Sequence, residues 1–204
     1  MDAIRERLIQ AYDRSVDQRE AEPITGWKRQ EREKFLVVMR SHQVKSMMDL
    51  GSGPGVHAAY FREQGLEVTC VDISPAMVRR CKQQGFDARC CSALELDQLE
   101  RSFDAVFAFN SLLHIPSSQL EEALESIHQS LKPGGSFYWG QYGGDIWEGI
   151  LEHDRYQPKR FFSFLSDDRI EQAARQCFQV QEFARVKLEG IEEYHFQSLI
   201  LRGA

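Results

Sequence analysis

Apolar positions recur three and four residues apart over the first forty residues or so, then give way to short apolar runs separated by glycine-rich turns. Residues 2–17 carry Ile4, Leu8, Ile9 and Tyr12 at helical spacing among charges, which predicts an amphipathic helix. Glu22-Pro23 breaks it, because a residue preceding proline is held out of the helical region. A second helix follows Trp27, with Phe35, Leu36, Val38 and Met39 on its apolar side. Ser46-Met47-Met48-Asp49-Leu50 then reads as a short strand running into Gly51-Ser52-Gly53-Pro54-Gly55. A helix from about Val56 to Gln64 is ended by Gly65. Glu67 to Val71 is a second strand with Asp72 at its end, and Ser74-Pro75 caps and starts the next helix, which Gly85 ends. Phe86 to Cys90 and Phe103 to Phe109 are the third and fourth strands. A loop through Pro116, a helix over 117–131, a tight turn at Lys132-Pro133-Gly134-Gly135 and a fifth strand from Ser136 to Tyr142 complete the series.

Strands alternating with helices of this length predict an α/β fold, a parallel sheet with helices on both faces. The remainder differs. Residues 143–166 are polar and rich in aromatics, a helix is expected near 167–177, and two strand-like runs, Val180 to Leu188 and Tyr194 to Leu201, meet across Glu189-Gly190 as a hairpin. At 204 residues the whole is expected to be one domain.

Composition narrows the function classes. A net charge of −6 disfavours a phosphate backbone as partner, so nucleic acid is not expected. The five cysteines show no C-x-x-C spacing, so neither a metal site nor a redox pair is expected, and they fit a reducing compartment. Asp2, Arg5, Glu6 and Arg7 interrupt any leader-like apolar run, and no stretch approaches the roughly 20 apolar residues of a membrane span. The expectation is a cytoplasmic protein with no membrane contact.

The strongest chemical signal is the run Asp49 to Gly55 between a strand and a helix. Glycines there let the backbone turn sharply and lie against a ligand. A dinucleotide fingerprint beginning at Gly51 requires glycine at 56, where Val56 stands. The Asp49 carboxylate repels a pyrophosphate but attracts an amino group or a sulfonium. Asp72 ends the second strand about 20 residues past the first glycine, where a carboxylate accepts the hydroxyl protons of a ribose.

These segments, with Phe103-Asp104-Ala105-Val106 and Leu131-Lys132-Pro133-Gly134-Gly135, resemble the successive motifs of class I S-adenosylmethionine-dependent methyltransferases of the small-molecule, type-11-like kind. The resemblance covers residues 46–141 and implies a doubly wound, Rossmann-like sheet of seven strands, mostly parallel with an antiparallel C-terminal hairpin strand. It implies S-adenosylmethionine as cofactor, with S-adenosylhomocysteine as its product. Asp49, Gly51, Ser52, Gly53 and Gly55 would shape its methionine end, with Asp72 on the ribose and Ile73 beside the adenine. Where the family often carries an acidic residue after the third strand, this chain has Cys91-Ser92-Ala93-Leu94, so the adenine contact falls to the backbone of Ser92, Ala93 and Leu94 or to the Ser92 hydroxyl. Asn110 would lie near the methionine portion and His114 at the pocket mouth, either as a proton acceptor or as a histidine that packs and holds the loop.

Tyr12, Arg19 and Trp27 fall in a region that folds over the cofactor in many small-molecule members; Arg19 would pair with the methionine carboxylate, while Tyr12 and Trp27 also read as helix-packing aromatics. The expected layout is a helical cap over 1–42, a cofactor core over 43–141, a substrate lid over 142–166 and a C-terminal helix and hairpin over 167–204. The leading expectation is methyl transfer by direct displacement to an N or O atom of a small molecule. The alternatives are a protein or RNA methyltransferase, a nicotinamide-dependent oxidoreductase (disfavoured by Val56 and Asp49), and a cofactor-binding protein without catalysis.

Overall fold

The computed structural model describes residues 3–188 and 190–203, so Asp2 of the first expected helix and Glu189 of the expected hairpin turn lie outside the described residues. The chain runs α1 (Ala3–Asp13), α2 (Val16–Ala21), α3 (Gly26–Ser41), β1 (Ser46–Leu50), α4 (Val56–Glu63), β2 (Glu67–Asp72), α5 (Pro75–Gln83), β3 (Asp87–Cys90), β4 (Phe103–Phe109), α6 (Leu120–Ser130), β5 (Leu131–Gly143), β6 (Trp147–Ile150), β7 (Phe161–Phe164), α7 (Asp167–Cys177), β8 (Gln179–Leu188) and β9 (Ile191–Arg202). One sheet of seven strands has the order β3-β2-β1-β4-β5-β9-β8. Strands β1 to β5 pair in parallel; β9 runs antiparallel to both β5 and β8.

Period-two alternation sends neighbouring residues to opposite faces, and both faces are covered. Met48, Val106, Phe137 and Trp139 pack with Leu124 and Ile127 of α6 and Ile170 of α7. Met47, Phe107 and Tyr138 pack the other way, against Phe35 and Met39 of α3, Phe61 of α4 and Val78 of α5. Each such side chain contributes about 1.5–3 kcal/mol by leaving water. The strand order reverses between β1 and β4. In a doubly wound sheet a ligand crevice opens at that point, beyond the carboxyl ends of the strands.

Several expected boundaries shift for local reasons. The helix expected over 2–17 stops at Asp13, because the Ser15 amide and hydroxyl both donate to the Tyr12 carbonyl, at 3.0 and 3.1 Å. Asp13 turns outward there and accepts from the Ser74 hydroxyl at 2.5 Å and the Ala76 amide at 3.0 Å, tying α1 to the start of α5. The helix expected over 117–131 begins as a 3-10 turn at Ser117–Gln119. The expected Lys132–Gly135 turn sits within β5 as an irregularity, where the pairing register shifts between Phe103 and Ala105. Residues 143–166 form a second, two-stranded sheet, β6 paired antiparallel with β7. Among the described residues no helix is long and apolar enough to cross a membrane.

Candidate functional site

The β1–α4 loop bends back under two hydrogen bonds, in which the Gly51 and Ser52 amides donate to the Val71 carbonyl at 2.7 and 3.1 Å. Gly51 (φ +74°) and Gly53 (φ +54°) take left-handed backbone that other residues adopt at a cost. Their absent side chains matter differently. A Cβ on Gly51 would lie 2.3 Å from that of Ser111, so β1 and the loop after β4 meet only because it is glycine. A Cβ on Gly53 would meet nothing within 4 Å, and Gly53 lines a cavity of about 260 Å³ at the switch point between β1 and β4.

Asp72 sits on one wall of that cavity. One carboxylate oxygen accepts from the Gly53 amide at 2.9 Å and the other from the Ser74 amide at 2.8 Å. Burial raises its pKa, and those two amides oppose the rise. Each oxygen keeps acceptor capacity for a second donor. Ile73 and the segment Cys91–Leu94 continue the same wall, with the Ser92 hydroxyl accepting from the Leu94 amide at 3.3 Å.

Several buried polar atoms on or beside this cavity have no partner. Burial, with Asp72 nearby, pushes the Asp49 carboxyl up to about 7, and its Oδ2 has no hydrogen-bond partner. Arg19 Nε, Asn110 Oδ1, Ser111 Oγ and His57 Nδ1 are likewise buried without partners. Arg19, Asn110 and Ser111 line the cavity, and the His57 ring packs on Phe107 and on Phe109, itself a lining residue. Burial, then the charges of Arg32, Lys28 and Arg19, drive His57 down to about 3. An unpaired buried polar group costs about 1–3 kcal/mol, so such a cluster is retained where a polar ligand completes it.

Helix α1 forms the roof. Ile4, Leu8 and Tyr12 face the cavity, and Arg5 grips Glu95 with two hydrogen bonds of 2.8 and 2.9 Å. At the mouth, His114 Nδ1 lies 2.7 Å from the Phe161 carbonyl oxygen and Nε2 lies 2.6 Å from the Tyr12 hydroxyl. Arg160 Nη1 donates to that hydroxyl at 2.9 Å, while its Nε and Nη2 hold Asp154. The guanidinium lies 3.7 Å from the centre of the Tyr156 ring. Burial, reinforced by the Arg160 charge, drives the His114 pKa down to about 3, so the ring is neutral at neutral pH.

Of the residues expected from the sequence, Tyr12, Arg19, Gly51, Gly53, Asp72, Ile73, Ser92, Ala93, Leu94, Asn110 and His114 come together on this cavity. Asp49, Ser52, Gly55 and Trp27 are not part of its lining. Asp49 lies buried where β1 enters the loop, and Ser52 is buried within the loop. At Gly55, a Cβ would press on Cys81 Sγ at 3.2 Å. Trp27 stacks on Phe109 and leans on Phe196, ring centres 5.9 and 4.8 Å apart. Sequence reasoning missed Ile4, Leu8, His57, Ser111 and Arg160. Only the helical spacing that Ile4 and Leu8 share with Tyr12 carries a signal for them, and by itself it predicts no more than an amphipathic helix.

Residues 47–135 match the methyltransferase domain family. A malonyl-[acyl-carrier protein] O-methyltransferase of Pseudescherichia vulneris is 33% identical over 110 residues, covering 53% of this chain and 43% of that protein. The chain spans less than half the length of the curated relatives it matches. Among solved structures, Burkholderia thailandensis 1,6-didemethyltoxoflavin-N1-methyltransferase, with 1,6-didemethyltoxoflavin and S-adenosylhomocysteine bound, superposes with a TM-score of 0.71 at 22% identity over 98% of this chain and 87% of that one. The [4+2]-cyclase SpnF superposes at 0.73 with 17% identity, over 98% of this chain and 96% of that one. One fold thus carries differently described activities, so the reaction has to be argued from the site.

Proposed function

We propose that this chain, whose residues 47–135 match the methyltransferase domain family, is a class I S-adenosylmethionine-dependent methyltransferase that transfers a methyl group from S-adenosylmethionine to a small-molecule acceptor. The observation that carries the reading is the set of buried unpaired polar atoms at the cavity, Arg19 Nε and Asn110 Oδ1 on lining residues and Asp49 Oδ2 in β1 outside the lining, together with the Asp72 carboxylate on the cavity wall. An amino-acid zwitterion joined to a ribose matches that arrangement, whereas a pyrophosphate beside Asp49 does not.

Arg19 would receive the carboxylate and Asp49 would stand opposite the ammonium group. Asp72 would accept the ribose hydroxyls, and Ile73 with the Ser92–Leu94 segment would hold the adenine. Bound there, the cofactor supplies a methyl group already activated on a sulfonium, so the protein's work is to align an acceptor and exclude water. Helix α1 roofs the cavity, Arg5 on it pairs with Glu95, and the β6–β7 hairpin reaches His114 through Phe161 and Phe162.

The reading keeps a helical cap over 1–42, a cofactor core over 43–141, a substrate lid over 142–166 and a C-terminal helix and hairpin over 167–204 as the proposed division of labour. His114 acts through Tyr12, since both of its ring nitrogens are engaged. The five free cysteines fit work in the reducing cytoplasm. The cavity, about 260 Å³, falls below the roughly 300–1,000 Å³ usual for ligand sites, which favours a small acceptor.

Isothermal titration with S-adenosylhomocysteine, using NADH as control, tests the reading. Binding of the first alone supports it. Binding of NADH alone, or of neither, overturns it.

A further inference from the structure

We infer that a second cavity, lined by Arg202, His42 and Lys132 at the amino ends of the parallel strands, binds a phosphate group. It lies at the sheet edge opposite the cofactor crevice and is independent of the methyl-transfer reading.

Topology places the site. Residues 41–44 lead from α3 into β1, Asp104 is the second residue of β4, residues 132–136 lie near the start of β5, and Arg202 ends the antiparallel β9. Together they line a cavity of about 390 Å³. The β5 ladder is irregular here. Leu131 pairs with Phe103 and Ser136 with Ala105, so residues 132–135 bulge from the register, with Gly134 at φ +68°.

The charges in this lining do not balance. The chain carries −6 overall, yet here Lys132 and Arg202 face a single carboxylate, Asp104. That carboxylate is already spent. Oδ1 accepts from Lys132 Nζ at 2.7 Å, and Oδ2 accepts from the Lys45 amide at 3.1 Å and from the Ser46 amide and hydroxyl, both at 2.9 Å. Among the described residues no carboxylate pairs with Arg202, whose Nη1 lies instead 2.7 Å from His42 Nε2 and 3.1 Å from Nδ1. Those two nitrogens point away from each other across the ring. One group cannot lie in line with both, so Nη1 sits over the ring face. Burial, then the Arg202 charge, lower the His42 pKa, so a cation rests against a neutral ring with no anion to answer it.

The donors set the class of ligand. Nε and Nη2 of Arg202 carry three of its five N–H groups and donate to nothing among the described residues. That edge faces Gly134, where a Cβ would lie 3.4 Å from Nη2 and 3.8 Å from Nε, and glycine leaves it uncovered. Two parallel N–H groups on one guanidinium form the fork that takes two oxygens of an oxyanion. Lys132 Nζ, bonded to Asp104 and at 3.4 Å to the Ser46 hydroxyl, keeps a third N–H. A carboxylate exhausts its two oxygens on the fork. A phosphate has a third oxygen and a second charge left for Lys132.

The test titrates the full chain at neutral pH with inorganic phosphate, methyl phosphate and acetate, against potassium chloride of equal ionic strength. The readout is the NMR signals of the His42 ring, with those of His114 as the control in the cofactor cavity. Phosphate should move His42 saturably, with a Kd of about 1 mM, and leave His114 unmoved. Arg202→Lys keeps the charge without the fork and should bind at least about tenfold more weakly, and Arg202→Met should not bind, with thermal unfolding confirming that both fold. Methyl phosphate binding as well as phosphate assigns the site to a phosphate ester on a larger molecule; inorganic phosphate alone assigns it to the free ion. No saturable shift, a shift that chloride reproduces, acetate as tight as phosphate, or unchanged affinity in Arg202→Lys overturns the inference.

Discussion

Removing the Asp72 carboxylate should act twice, on ligand affinity and on the loop that forms the pocket, and the two effects separate in one experiment. In the ligand-free protein the carboxylate holds the Gly53 amide at 2.9 Å and the Ser74 amide at 2.8 Å. Asp72→Ala leaves both donors without a partner, at about 1–3 kcal/mol each. Part of that is recovered, because the carboxylate is buried and its raised pKa records the cost of holding its charge there. A net stability loss of about 1–3 kcal/mol is therefore expected from urea unfolding.

Affinity depends on a different contact. Hydrogen bonds from ribose hydroxyls to an ionised acceptor contribute about 1.5–3 kcal/mol, a factor of roughly 10 to 100 in Kd. Loop distortion alone would also weaken binding, so wild type and variant are each titrated with S-adenosylhomocysteine and with its 2′,3′-dideoxy analogue. Wild type should prefer the natural ligand by that factor, and Asp72→Ala should discriminate little between the two. The double difference isolates the contact from the distortion. If the variant keeps the full preference for the hydroxylated ligand, Asp72 does not bind ribose and the orientation proposed for the cofactor is wrong.

Other perturbations probe the remaining parts of the site. Gly53→Ala places a methyl group in the cavity at φ +54°, which costs about 1–2 kcal/mol in folding; circular dichroism should be native and S-adenosylhomocysteine affinity at least about tenfold lower, whereas normal binding would refute the loop's role. Asp49 has a folded pKa of about 7 against roughly 4 when unfolded, so between those values the native state binds more protons and stability falls as pH rises, by at most about 4 kcal/mol. Asp49→Asn should remove that slope and raise the ligand-free Tm at pH 8 while weakening S-adenosylhomocysteine; a pH profile of Tm identical to wild type would contradict the buried, unpaired carboxylate. Asp154, whose side chain is 2% exposed, pairs with Arg160, so Asp154→Ala strands a buried cation and should cost about 3–5 kcal/mol. The double variant Asp154→Leu, Arg160→Met should recover most of that loss; a single variant as stable as wild type would show the pair to be dispensable.

The parts of the fold that the sequence made legible are those where burial leaves an unbroken mark. Strands β1 and β4 are covered on both faces, so Ser46–Leu50 and Phe103–Phe109 read as nearly continuous apolar runs, and glycine turns bound their neighbours. The start of β5 was hidden because Lys132-Pro133-Gly134-Gly135 has the chemistry of a turn and is in fact an irregularity within the strand, with Leu131 already paired to Phe103. The β6–β7 hairpin was hidden for another reason. Its strands are four residues each, neither alternates clearly, and they pair across a ten-residue connection that has no short-turn signature.

In the site, the wall along the ends of β1 and β2 was legible because one local run of residues builds it. The roof was legible only in part: a helical cap carrying Tyr12 and Arg19 was expected over the cofactor, but Ile4 and Leu8 were not assigned to the cavity, and the stripe of Ile4, Leu8 and Tyr12 shows why. Helical periodicity reports that one face is shielded from water; it does not distinguish packing against protein from packing over a cavity. The same three residues fit both readings, and only the space beneath them decides between the two. His114 and Tyr12 were each expected at the site, but their pairing lies beyond reach of the sequence, since Tyr12 meets a histidine 102 positions on and an arginine 148 positions on. Neither partner falls in a motif that fixes the other. What identifies the mouth is the direction of its hydrogen bonds. One carbonyl at Phe161 sets the tautomer of His114, and the tautomer sets the direction in which the Tyr12 hydroxyl donates. That chain of consequence passes through β7, the loop after β4 and α1, so it exists only once the chain has folded.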